Sequence, residues 1–189
     1  MRRLLLALVA TAAVCGVAHA QTPPDGAKRN AAQVEAMKKL ANMDGVWRGQ
    51  AWTITPTGRH EVTQTERIGP MLGGAIKIIE GRGYNPDGAT GFNAFAVISY
   101  EPDTGAYALR SYAMGRSGDF KFTPTAEGYD WEIPAGPATI RYSATIKDGV
   151  LHEVGHRVVA GQPPVKFFEM TVKRLADSDW PAAGAVPAK

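Results

Sequence analysis

The chain has 189 residues, 44% of them hydrophobic, 8% aromatic and 21% charged, with a formal charge of +3. That balance belongs to a globular domain and excludes a disordered chain, a collagen-like repeat and a multi-pass membrane protein. Two of the positive charges, Arg2 and Arg3, fall in a leader, so the remainder carries only +1 and gives no electrostatic argument for nucleic acid or an anionic membrane as partner.

Residues 1–20 read as a secretory signal, with Arg2 and Arg3 in front, an apolar run from Leu4 to Val17 and a small-residue cleavage site at Ala18-His19-Ala20. The expected location is periplasmic or secreted, and the 169 residues that follow suffice for one domain. The single cysteine, Cys15, lies within the signal, so neither a disulfide nor thiolate chemistry is expected after cleavage. No later apolar run approaches the ~20 residues that span a bilayer as a helix. Gln21 to Lys28, with Pro23, Pro24 and Gly26, predicts a disordered leader. Asn30 then caps a short helix, with Gln33 three positions on, whose apolar face is Val34, Met37, Leu40 and Ala41 and which ends near Asn42.

From Val46 onward the period changes to two. Ten strands are predicted: Val46–Thr55, His60–Ile68, Gly74–Gly83, Phe92–Tyr100, Tyr107–Met114, Asp119–Thr123, Tyr129–Ile133, Thr139–Lys147, Val150–Val159 and Lys166–Leu175. Turn chemistry separates them, for example at Pro56-Thr57-Gly58, Asn85-Pro86-Asp87-Gly88 and Asp148-Gly149. Connections this short join antiparallel neighbours only. A meander of ten strands avoids exposed edges by closing on itself. The fold class is therefore all-β, a single up-and-down antiparallel barrel of about ten strands with a short N-terminal helix. The divisions are 1–20 signal, 21–43 leader and helix, 44–176 barrel and 177–189 flexible tail.

Gly45-Val46-Trp47 opens the first strand just after the helix, and Arg174 ends the inward row Phe168, Met170, Val172 of the last. This pairing resembles the lipocalin and fatty-acid-binding-protein superfamily, the calycins. The resemblance implies that Trp47 closes one end of the barrel and that Arg174 packs across its ring. Gly-Val-Trp-Arg-Gly is also similar to the opening of nitrobindin-like and other secreted bacterial barrels of ten strands. Nitrobindins ligate haem through a histidine on a late strand; their longer opening, with further glycines and a tyrosine-proline step, is missing here, and no cofactor is assigned.

His152-Glu153-Val154-Gly155-His156 is a literal H-E-x-x-H, which on a helix supplies two zinc ligands and a general base. Its β-branched valines, the preceding Asp148-Gly149 turn and the following Gly161-Gln162-Pro163-Pro164 predict a strand instead. On a strand the two histidines lie ~13 Å apart, beyond the reach of one zinc ion. The valine-rich face Val150, His152, Val154, His156, Val158 is expected to point inward. Gly69 to Gly74 is expected as a mobile loop over the barrel mouth.

Polar side chains share faces with apolar ones: Gln64 and Glu66 with Val62 and Ile68, and Glu80 and Arg82 with Ile76 and Ile78. A purely structural core seldom tolerates such groups unless water or a bound molecule satisfies them, so they suggest a cavity. The candidate ligand-binding residues are Glu66, Arg110, Tyr112, Trp131, Tyr142, His152 and His156, around a small, partly apolar ligand; Trp47 and Arg174 are the structural pair. Two other readings stay open: a zinc-dependent hydrolase using His152, Glu153 and His156, and a filled barrel acting through its surface.

Overall fold

The computed structural model describes residues 25–180; the signal reading, the start of the leader and the end of the tail lie outside them. A helix, α1 (Gly26–Lys38), and a 3-10 turn at Ala41–Met43 precede ten strands. These are β1 (Gly45–Thr55), β2 (Gly58–Met71), β3 (Ile76–Tyr84), β4 (Thr90–Glu101), β5 (Ala106–Ala113), β6 (Arg116–Pro124), β7 (Gly128–Ala135), β8 (Ala138–Lys147), β9 (Val150–Val159) and β10 (Val165–Ala176). Every strand pairs antiparallel with its neighbours in sequence, and β1 pairs with β10 to close the barrel. Each of the ten predicted segments corresponds to one of these strands.

The helix starts earlier than its capping signal predicts. Asn30 lies inside α1, and Gly26 to Lys28, expected in a disordered leader, are helical. Tertiary contacts account for the extension: Arg29 pairs with Glu101 and Asp103 at the end of β4, and the Gln33 amide donates to the Tyr100 carbonyl at 3.2 Å. α1 and the 3-10 turn thus deliver Met37, Leu40 and Met43 to the core beneath one end of the barrel.

Trp47 is 1% exposed at that end, and its indole N–H donates to the Met43 carbonyl at 3.0 Å. Arg174 sits directly opposite it across the β1–β10 ladder and donates from Nε and Nη2 to the Asp44 carbonyl at 3.1 and 2.8 Å. The guanidinium therefore fastens the entry of β1 to the exit of β10. Lys77, 2% exposed, pairs with the partly exposed Asp44 carboxylate, so the closed end also contains an ion pair whose ammonium is buried.

The segment expected over the mouth lies at this end instead. Gly69 to Met71 continue β2, and Leu72–Gly74 form a 3-10 turn beside α1. Residues 177–180, assigned to a flexible tail, lie across β2: a Cβ at Gly69 would collide with Ser178, and the Trp180 ring stacks on Arg67 at 4.4 Å.

Candidate functional site

Alternation along each strand decides which side chains reach the lumen. On β2 the inward row is Val62, Gln64, Glu66 and Ile68, as predicted. On β3 it is Ile79 and Gly81. Glu80 and Arg82, expected on the inner face, point outward, pair with each other and leave Gly81 facing the Glu66 carboxyl. A Cβ at Gly81 would stand 3.0 Å from both Glu66 oxygens, so the glycine makes room for that side chain.

One wall of the lumen is built from small residues, Ala51, Gly81, Ala94, Ala96 and Ala113 on β1 and β3–β5. The facing wall is aromatic, with Phe120, Tyr129, Trp131, Tyr142 and Phe168 from β6–β8 and β10. A cavity of about 710 Å³ lies between the two walls. That volume falls within the range of small-molecule sites. It runs from Leu109, Phe122 and Leu151 near the helix end to a rim carrying His60, Phe92, Arg116 and Ser117.

The aromatic wall is ordered by its own contacts. Trp131 and Tyr142 stack at 4.2 Å between centroids with 7° between planes, and Phe167 and Phe168 meet Tyr142 edge-on at 5.8 and 5.6 Å. Gly155 permits this: a Cβ there would come within 2.9 Å of both Tyr142 and Phe168. A register shift between Lys166 and Phe168 brings Phe167 as well as Phe168 to the lumen.

Two carboxyl groups face the cavity. Glu153, 7% exposed, accepts from Trp131 Nε1 at 2.9 Å and from the Tyr129 hydroxyl. Burial pushes it up to about 7, against the pull of those two bonds. Glu66 accepts from the Gln64 amide at 2.7 Å. Burial pushes it up to about 8, opposed by the Gln64 bond and helped by repulsion from Glu153 and Glu80. The two carboxyls thus change charge near neutrality and sense each other.

Of the predicted residues, the structure brings Glu66, Trp131 and Tyr142 to the cavity wall and leaves the other four outside. Arg110 donates from Nε to the Tyr112 hydroxyl at 2.9 Å and pairs with Asp119 on the outer surface, where Tyr112 is 46% exposed. His152 and His156 also lie on the outer face of β9, because Leu151, Glu153 and Gly155 hold the inward positions. His152 Nε2 lies 2.9 Å from Glu169, which also accepts from Lys166 and Trp52 and is held at about 2, mainly by Lys166 and then by His152. The H-E-x-x-H string is strand throughout, so its two imidazoles do not converge as they would on one face of a helix. Neither late-strand histidine reaches the lumen; the imidazole that borders it among the described residues is His60, at the rim.

Gln64, Tyr129 and Glu153 were not among the predicted pocket residues. The signal for Glu153 lay in the hairpin. Asp148 and Gly149 form a two-residue turn with φ of 52° and 72°, which sets Lys147 opposite Val150. Ile146, Ala144 and Tyr142 on β8 therefore stand opposite Leu151, Glu153 and Gly155.

No protein-family model matches this sequence, and no curated protein matches it. Among solved structures, the crystal structure of Rv2717c from M. tuberculosis is similar, with a TM-score of 0.56 and 15% identity over 74% of this chain and 97% of that one. A likeness at that identity establishes a shared barrel architecture and nothing of function.

Proposed function

We propose that this protein is an exported small-molecule-binding barrel of the calycin type. Residues 1–20 direct export, and the lumen takes a partly apolar ligand bearing a flat ring. The observation that carries the reading is the cavity of about 710 Å³, with a stacked Trp131–Tyr142 wall on one side and small residues on the other. A filled structural barrel would place bulky side chains opposite that wall, and alanines stand there instead. Rings packed on rings supply affinity beyond area burial, and the sparse polar groups supply orientation.

The test is a titration with N-phenyl-1-naphthylamine, a neutral aromatic probe whose emission rises in an apolar site. Saturable binding of one probe per chain is expected. Ala96→Phe, which fills the lumen from β4, abolishes it, while Tyr112→Ser on the outer face leaves it intact. Equal binding by the Ala96→Phe variant, with its fold verified by circular dichroism, contradicts the reading, as does no saturable binding to the unaltered protein.

A further inference from the structure

The polar groups of the lumen are unequal in kind. Apart from the Tyr142 and Ser111 hydroxyls, which can donate or accept, its inner donors are already engaged: Trp131 Nε1 and the Tyr129 hydroxyl on Glu153, and the Gln64 amide on Glu66. The acceptors are not. Among the described residues, Glu66 Oε2 and Gln64 Oε1 receive no hydrogen bond, although Gln64 is only 5% exposed and borders the cavity. Both oxygens open onto the cavity, where a ligand that donates would engage them.

Charge points the same way. The cation-bearing side chains that border the cavity are Arg116 and His60, both at the rim. Lys77 is paired with Asp44 at the closed end, while Arg67 and Arg82 turn outward to Glu80. Glu66 and Glu153 therefore share the middle of the lumen with no fixed cation between them. An anionic ligand entering there meets two carboxyls and is repelled. A cation meets acceptors and the faces of a stacked indole and phenol, which attract positive charge.

We propose that the lumen selects organic cations, with an aromatic or aliphatic body against Trp131, Tyr142 and Phe168 and a protonated amine or amidinium bonded to Glu66, Glu153 and the Gln64 carbonyl. This rests on the lumen being the binding site and adds the class of ligand. The carboxyls give up their protons as the cation enters, so affinity rises with pH while the amine stays charged. The groups that face them are each other, Tyr129, Tyr142 and Gln64, with His60 and Arg116 toward the rim and Glu80 behind β3.

The experiment is calorimetric titration of the whole protein with three probes of one shape: 2-naphthylmethylamine, 2-naphthalenemethanol and 2-naphthoate. At about pH 8.5 the amine is expected to bind at least about tenfold more tightly than the alcohol, with naphthoate weakest. Lowering the pH to about 6 weakens the amine at least about fivefold and leaves the alcohol unchanged, in the unaltered protein and in His60→Gln alike. Glu66→Gln and Glu153→Gln remove the preference for the amine while N-phenyl-1-naphthylamine still binds. If either variant fails to fold, the pH comparison decides, and an unchanged amine affinity overturns the proposal. Amine and alcohol binding equally, or naphthoate binding best, overturns it and leaves the lumen reading standing, whereas failure of all four probes overturns both.

Discussion

The buried carboxyl of Glu153 makes the stability of this barrel fall as pH rises through neutrality. The folded protein holds its proton up to about 7, whereas the unfolded chain releases it near 4.5. Below the lower value both states are protonated and stability is at its full level. Between the two values the unfolded chain binds fewer protons, so each pH unit costs the fold, and above about 7 the loss is complete. At ~1.4 kcal/mol per unit the loss from Glu153 is roughly 3 kcal/mol. Glu66, pushed up to about 8, acts in the same direction, by an amount reduced because its carboxyl borders the cavity. The assay is urea unfolding at several values between about pH 4.5 and 8.5 on the protein and on Glu153→Gln, whose amide oxygen still accepts from Trp131. The variant should match the parent near pH 5 and exceed it by about 2–3 kcal/mol at the alkaline end. Stability that is flat or rising over this range, or a variant with the parent's slope, refutes the argument.

Other predictions concern the closed end and the strand crossings. Trp47→Ala should lose about 3–5 kcal/mol, as a large buried aromatic does, and a loss under about 1 kcal/mol in urea unfolding contradicts its closing role. Asp44→Asn leaves Lys77 buried without its partner and should cost about 3 kcal/mol, while Lys77→Met costs much less, because an apolar side chain needs no partner there; equal losses would mean that the charge is not the issue. Gly49→Ala would drive a Cβ into the Thr171 carbonyl across the β1–β10 seam and should lower stability by about 3 kcal/mol or more, measured as a fall in the denaturant midpoint. Gly155→Ala should spread the Tyr142 and Phe168 rings and weaken the N-phenyl-1-naphthylamine affinity more than it lowers the melting temperature.

The barrel was legible in the chain because each strand is bounded by turn chemistry and short connections leave no other pairing. Which face turns inward was less legible, and β3 and β9 show why. Val150, Val154 and Val158 look like a core row, but β-branched residues suit either face of a sheet, and here they lie on the outside. The inner row of β9 is Leu151, Glu153 and Gly155, a carboxyl and a glycine in a position the pattern reserves for apolar residues. Glu153 is tolerated there because Trp131 and Tyr129 bond to it, a partnership made across β8 and absent from local sequence. On β3, Gly81 faces in beneath Glu66, and the pair Glu80 and Arg82 falls outside as a consequence. The Asp148-Gly149 hairpin would have settled β9, since a two-residue turn ties its register to β8. No such tie links β2 to β3, where the 3-10 turn at Leu72–Gly74 leaves the register open. Trp131 and Tyr142 reach the lumen together because they stand directly opposite each other on a tight hairpin.

The lumen as binding site is tested most directly by intermolecular nuclear Overhauser effects between bound N-phenyl-1-naphthylamine and assigned aromatic protons. Cross-peaks to the rings of Trp131, Tyr142 and Phe168 are expected. Cross-peaks confined to Tyr112, Phe95 or the imidazole of His152, all on the outer wall, would contradict it.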